Sequence, residues 1–347
     1  MMFFSNDTKG IAYLYGLIAA RRTRLLTPKD YENLIQLPSV DSILNHLSAG
    51  DYVELKEVHK PLSFEEIEQA FNSHFNSILK EFNSHLSPKT RKLLSSLILS
   101  PIELENLKTL FRSLHSNLNV EERQDILDSR SPFYTIFKSL IQRVESIEEL
   151  AKELYKLKLI PDLRNELKQY AQSKELLLIE ARLEHDFFSK WRVELEGVEE
   201  AMFYFEVWVD IMNLLNLLRC RINDIEAEPY LLPSSGMYLT PSLITKLSEV
   251  NVENYPSLLS PTPYFRAMRE SISFFQRTHS LAPVEIKLHN TLLNLIHEKA
   301  IHQPLSVYSL LDYLLHKNEE IKNLKVIIFT KTYSLPPSKI RELLGLQ

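Results

Sequence analysis

Glycine is scarce in this chain, with six in 347 residues. Phosphate-cradling loops, tight hairpins and nucleotide folds draw on the positive φ that glycine supplies, so their absence is expected. Cysteine is scarcer still. Cys220 alone cannot form an intramolecular disulfide, which suits a cytoplasmic compartment, and its place within a predicted helix, 208–221, marks a small buried hydrophobe. There is no excess of positive charge: 40 Lys and Arg stand against 45 Asp and Glu, a formal net charge of −5 that gives no reason to expect nucleic acid as a partner. A long uninterrupted apolar run is also missing. The most apolar stretch, 201–218, carries Glu206, Asp210, Asn213 and Asn216 and reads as a buried core helix, so no transmembrane segment is expected. Residues 1–10 lack the basic start and apolar run of a signal peptide.

The patterns of catalysis are missing too. No Gly-Lys-Ser or Gly-Lys-Thr loop and no nucleophile elbow occurs. His297-Glu298 suggests zinc, but His302 follows His297 by five residues instead of four, which turns the second imidazole about 140° away on a helix. No metal or other cofactor is expected, and no active site. Glu180, Glu184 and Asp186 share one helical stretch; as carboxylates at helical spacing they read as a solvated face or a single salt bridge.

What is abundant is helix-forming sequence. Leu, Glu, Lys and Ile dominate over Val and Thr, and the predicted fold class is all-α. Apolar residues recur at helical steps over 11–26, 62–86 and 163–195, and shorter helices are predicted over 89–99, 101–118, 132–146 and 147–158. The β-branched stretch 326–329 lies inside a longer helical pattern, 310–331, and is taken as helix. At Thr27-Pro28 with Asp30, the chain has the signature of a capping box with proline at the first helical position, and Thr240-Pro241 marks a second start.

These marks recur. Glu103, Asn106 and Arg112 return at identical spacing as Asp210, Asn213 and Arg219, and more weakly as Glu320, Asn323 and Lys331. A second element follows the same habit: Leu26-Thr27-Pro28 with Leu34, Leu239-Thr240-Pro241 with Leu247, and Leu335-Pro336-Pro337 with Leu343. The recurrence predicts related helical repeats, drawn at 1–100, 101–207 and 208–347. Asp210 and Asn213 are one turn apart while Arg219 falls on the opposite side, so the three cannot form one compact catalytic site. Glu103, Asn106, Asp210, Asn213, Glu320 and Asn323 are therefore predicted to tie helices together, since a polar group in an apolar helix needs a hydrogen-bond partner. The basic cluster Arg21, Arg22 and Arg24 is a candidate partner contact.

Four stretches resemble the C subunit of the A-type and V-type rotary ATPases, the homologue of the d subunit of the V-ATPase. They are Ala12-Tyr13 through Arg24 into Leu26-Thr27-Pro28 with Tyr31 and Tyr52; Ile179-Glu180-Ala181 through Phe188; Asp210 through Arg221; and Tyr313-Leu314-Leu315 through Leu344. The pattern departs at Asn318, where an acidic residue is usual, and at Thr330, where glycine commonly precedes the lysine. The resemblance implies an all-helical funnel of three pseudo-threefold related repeats. It implies a non-catalytic central-stalk component, a socket between the D and F subunits of the central shaft and the membrane-embedded ring of c-type subunits, peripheral on the cytoplasmic face. The residues alone leave open a different class, a freestanding helical-repeat adaptor that binds protein partners.

Overall fold

A computed structural model describes residues 7–58, 63–233 and 236–345, and its regular structure is helical, with seventeen α-helices and no strand among the described residues. Residues 1–6, read above for a leader pattern, and Leu62, placed at a helix start, lie outside the described residues. Side-chain caps set many helix beginnings. Thr27 accepts from the Asp30 amide while Asp30 accepts from the Thr27 amide at 2.8 Å, completing the capping box at Pro28–Gln36. Thr240 caps Pro241–Glu249 through the Leu243 amide. Ser39, Ser63, Asn119, Ser146 and Ser306 cap further helices, each such cap contributing about 1 kcal/mol. With so few glycines, several helices end on other residues in the left-handed region, among them Lys174, Asp224 and His279.

Two sequence expectations about helix breaks are corrected. The breaks predicted around residue 100 do not occur: one helix runs Pro88–His115 through Pro101. The stretch 163–195, read as uninterrupted, divides into Arg164–Ser173 and Leu177–Leu195, because Lys174 takes φ 59° and closes the first helix. The first helix also stops at Arg22, four residues short of Leu26. The 326–329 stretch is helical, within Val307–Thr332.

The chain forms two compact units, one of residues 1–98 and 293–347, the other of 99–292. In the first, helix Thr8–Arg22 packs on helix Val307–Thr332, which also meets helices Val40–Ala49 and Phe64–Ser84. Ile11, Leu14 and Ile18 of the first of these helices are buried, as are Leu310, Leu314 and Ile321 of the second. In the second, helix Leu177–Leu195 packs on Glu199–Asn223, with Phe188, Trp191, Tyr204 and Phe205 in edge and tilted ring contacts. Glu199–Asn223 is long and apolar enough to cross a membrane by length and composition, but 83% of its most apolar window is buried within the chain. Cys220 lies on this helix at 1% exposure, and burial pushes its thiol up to about 11.

Candidate functional site

Two of the three recurring acidic residues, Asp210 and Glu320, hold backbone amides, and they do so just ahead of the capped helices. Asp210, 0% exposed, accepts from the amides of Tyr238 at 2.7 Å and Leu239 at 3.1 Å and from the Tyr264 hydroxyl at 3.0 Å. Leu239 is the residue before Thr240-Pro241. The carboxylate therefore fixes the approach of the chain to the helix start. Gly236 closes the same nest, since a Cβ there would lie 1.7 Å from Asp210 Oδ1. Burial raises the Asp210 carboxyl to about 6, against the pull of its amide and phenol donors.

Glu320 repeats the arrangement on the other capped element. It accepts from the amide of Leu26 at 2.6 Å and from the hydroxyl of Tyr52 at 2.5 Å, and Lys317 Nζ lies 2.8 Å away. Lys317 also reaches Asp51 at 2.9 Å and stands over the Tyr52 ring at 4.9 Å. Burial opposes the charge on Lys317, but Glu320 and Asp51 outweigh it and raise its pKa. Hydrogen bonding from His74 and Lys317 holds Asp51 well below the usual carboxylate range. Tyr52 is pushed up by burial and by Glu320, so its hydroxyl remains a donor.

The asparagines do related work with different partners. Asn106 clasps Asp128 in both directions, donating to its carbonyl at 2.8 Å and accepting from its amide at 2.9 Å. Asn213 accepts from the Leu232 amide at 2.8 Å, and Asn323 hydrogen-bonds the Tyr31 hydroxyl. Glu103 stands apart from this pattern. Burial and the nearby charge of Glu194 push its carboxyl up to about 7, a setting in which it resists ionisation.

Glu180 and Glu184 are not a solvated face. Both are buried, because cations from two other helices converge on them. Arg112 binds Glu180 bidentately at 2.7 and 2.8 Å and reaches Glu105 at 2.8 Å. Lys108 lies 3.0 Å from Glu184, whose other partners are Asn216 at 3.0 Å and Arg219 at 3.8 Å. Three cations thus balance three carboxylates, and Lys108 and Arg219 keep Glu184 ionised despite the burial that opposes it. Both recurring arginines, Arg112 and Arg219, serve this cluster, away from the Asp210 nest. Asp186 of the same stretch pairs locally with Lys190 at 2.7 Å.

The basic cluster separates into different roles. Arg21 pairs with Glu81 at 2.5 Å and Arg22 with Asp312, so both are held within the first unit. Arg24 is 69% exposed, 3.6 Å from Asp51, and borders an open pocket of about 480 Å³ lined also by His46, Leu47, Gly50 and Tyr52. His297 and His302 diverge: His297 engages Asp312 at 3.1 Å and His302 is exposed.

The sequence reading gave no tie to Tyr52 or Lys317, and it passed over Tyr264, Asp51, Lys108 and Gly236. A signal for the tyrosines was present. Tyr52 follows Leu26 by 26 residues and Tyr264 follows Leu239 by 25, so the hydroxyl partner travels with the capped element. The others carry no such mark.

Comparison with known proteins places these features in a wider group. Residues 14–343 match the family model described as ATP synthase (C/AC39) subunit. A relative from Methanothermobacter thermautotrophicus, named as the C subunit of an A-type ATP synthase, is 26% identical, over 98% of this chain and 89% of its own length. Proteins of the same name from Methanocaldococcus jannaschii and Pyrococcus horikoshii are 23% and 24% identical, over 97% and 96% of this chain and 87% and 90% of theirs.

Proposed function

The chain belongs to the ATP synthase (C/AC39) subunit family, and from that premise we propose that it is a non-catalytic central-stalk component of an A-type or V-type rotary ATPase. In this reading it joins the D and F subunits of the shaft to the membrane ring of c-type subunits, on the cytoplasmic face, and transmits torque during ATP-driven proton or sodium transport or ATP synthesis. The family match over residues 14–343 is the observation that carries it. The three related repeats, 1–100, 101–207 and 208–347, belong to the same proposal.

The physical features support such a part. A torque-bearing element needs helices whose relative positions resist shear, and close-packed cores with buried ionic and hydrogen-bonded ties deform little. Asp210, Glu320 and the Glu180–Glu184 cluster supply those ties. A docking part also needs uncovered surface. The outward side of helix Thr8–Arg22 presents Ala12, Tyr15, Gly16 and Ala19, with Lys9 as the charge at its start, and Phe329 stacks between Phe64 and Tyr333 at 5.6 and 4.7 Å while half-exposed.

Isolation of the tagged chain from detergent-solubilised membranes of its own cell tests the proposal. Recovery of the ring and shaft proteins in fixed ratio is the expected result. Recovery of unrelated soluble proteins, with neither ring nor shaft, would show a freestanding adaptor instead.

A further inference from the structure

In the first unit, residues 23–27 leave helix Thr8–Arg22 and residues 50–52 leave helix Val40–Ala49, and the two stretches border one open pocket of about 480 Å³. Its inner side carries buried Leu47 and Tyr52, with half-buried Leu26 beside them. Asp51 lines it too, but the charge of Asp51 is already answered. His74 Nε2 lies 3.5 Å and Lys317 Nζ 2.9 Å from its Oδ2. Arg24 approaches the other oxygen only to 3.6 Å, beyond hydrogen-bonding distance, with its side chain 69% exposed. Among the described residues the Arg24 guanidinium donates no hydrogen bond, whereas Arg21 and Arg22 each donate to a carboxylate of another helix. The pocket therefore offers one cation with its donors unused, next to an apolar wall.

We propose that this pocket is a docking site for a short peptide segment of a partner protein, one that carries a carboxylate beside an apolar side chain. The carboxylate pairs with Arg24, and the apolar group rests on Leu26, Leu47 and Tyr52. The proposal draws on the rotary-ATPase reading only for where the partner is found.

Charge and size select this occupant. A guanidinium fits a carboxylate or a phosphate with two parallel N–H donors, so Arg24 alone accepts either. The rest of the lining separates them. A phosphate monoester brings about two negative charges near neutral pH and calls for a second cation. Lys317, the nearest one, is spent on Asp51 and Glu320. Asp51 and the carbonyl end of helix Val40–Ala49, where the Gly50 and Tyr52 amides bond to the Leu47 carbonyl, add negative character to the same pocket. A single carboxylate needs no more than Arg24. It would also leave most of the volume empty, and the apolar wall gives that remaining space to a neighbouring side chain of the same segment.

Photocrosslinking in the intact cell reads the occupant. His46, exposed on the last turn of helix Val40–Ala49 at the edge of the pocket, is replaced by p-benzoylphenylalanine in the full chain. Membranes are irradiated and the linked peptide is identified by mass spectrometry. The expected peptide comes from one protein and holds Asp, Glu or a terminal carboxylate next to an apolar residue. Arg24→Glu in the same chain should weaken the crosslink by about tenfold or more, and exchanging the partner's acid for arginine should restore it. A linked segment without a carboxylate, a crosslink unmoved by Arg24→Glu, or no crosslink at all overturns the site. Loss of the crosslink on adding inorganic phosphate, but not sodium chloride of equal ionic strength, would make it a phosphate site and overturn the carboxylate assignment. The rotary-ATPase reading fails separately: the same acid-dependent crosslink to a protein of neither ring nor shaft would uphold the pocket and reject that reading.

Discussion

Glu320 accepts the amide hydrogen of Leu26 across 294 residues of sequence, at 2.6 Å. The last acidic residue of the recurring set thus serves the first capped helix, as Asp210 serves Leu239 only 29 residues on. One physical device, a buried carboxylate holding the amide before a capped helix and backed by a tyrosine hydroxyl, is used locally once and across the whole chain once. The second use ties the two ends of the sequence into one compact unit.

Removing the tyrosine hydroxyls tests the device. Tyr52→Phe and Tyr264→Phe should each lower unfolding free energy by roughly 1.5–3 kcal/mol, the range for hydrogen bonds to charged groups. Lys317→Met should cost more, roughly 3–5 kcal/mol, because Glu320 would remain buried without its cation. Urea denaturation of each variant gives the values, and equal losses in all three would contradict the assignment.

Two glycines should respond in opposite directions to alanine. At Gly236 a new Cβ meets Asp210 Oδ1 at 1.7 Å, so Gly236→Ala should destabilise by about 1–3 kcal/mol through overpacking. At Gly16 a Cβ meets nothing within 4 Å, and Gly16→Ala should stabilise the isolated chain by about 0.5–1 kcal/mol. Thermal midpoints of the two variants provide the comparison.

The arginines should separate by what they already hold. Arg22→Glu would set a second anion beside buried Asp312, and a loss of roughly 3–5 kcal/mol is expected. Arg24→Glu should change stability by less than about 1 kcal/mol, since its side chain is 69% exposed. Arg24 is therefore the informative place for a charge-reversal docking assay, and weakened binding by the ATPase complex with unchanged folding is the result that would make it a contact.

Glu103 should make the chain less stable as pH rises. Its folded pKa, near 7, lies above the ordinary 4.5, so the folded state binds the proton more tightly. The associated stability is complete below about 4.5 and is lost as pH rises through about 7. Glu103→Gln should flatten that part of the stability profile by on the order of 1–2 kcal/mol, allowing for screening of a partly exposed group. A pH series of urea midpoints between 4.5 and 8 measures it.

Local signals in the sequence predicted local structure well. Thr27 with Asp30 marked its capping box because both partners lie within four residues, and 326–329 was held helical by the longer period around it. Pro101 misled because its missing amide is tolerated within Pro88–His115, and Lys174 because a lysine gives no sign of a left-handed turn. The burial of Glu180 and Glu184 was not legible either. It depends on Lys108, Arg112 and Arg219 arriving from two other helices, and nothing in the spacing of the carboxylates reports those partners. For the same reason the repeat pointed to Glu320 but could not name Leu26.

Reconstitution tests the central claim most directly. ATPase complexes lacking this protein should hydrolyse ATP in proteoliposomes without moving ions, and addition of the purified chain should restore ATP-driven ion uptake. Ion uptake equally strong without the chain, or unrestored after it binds, would contradict the proposed coupling role.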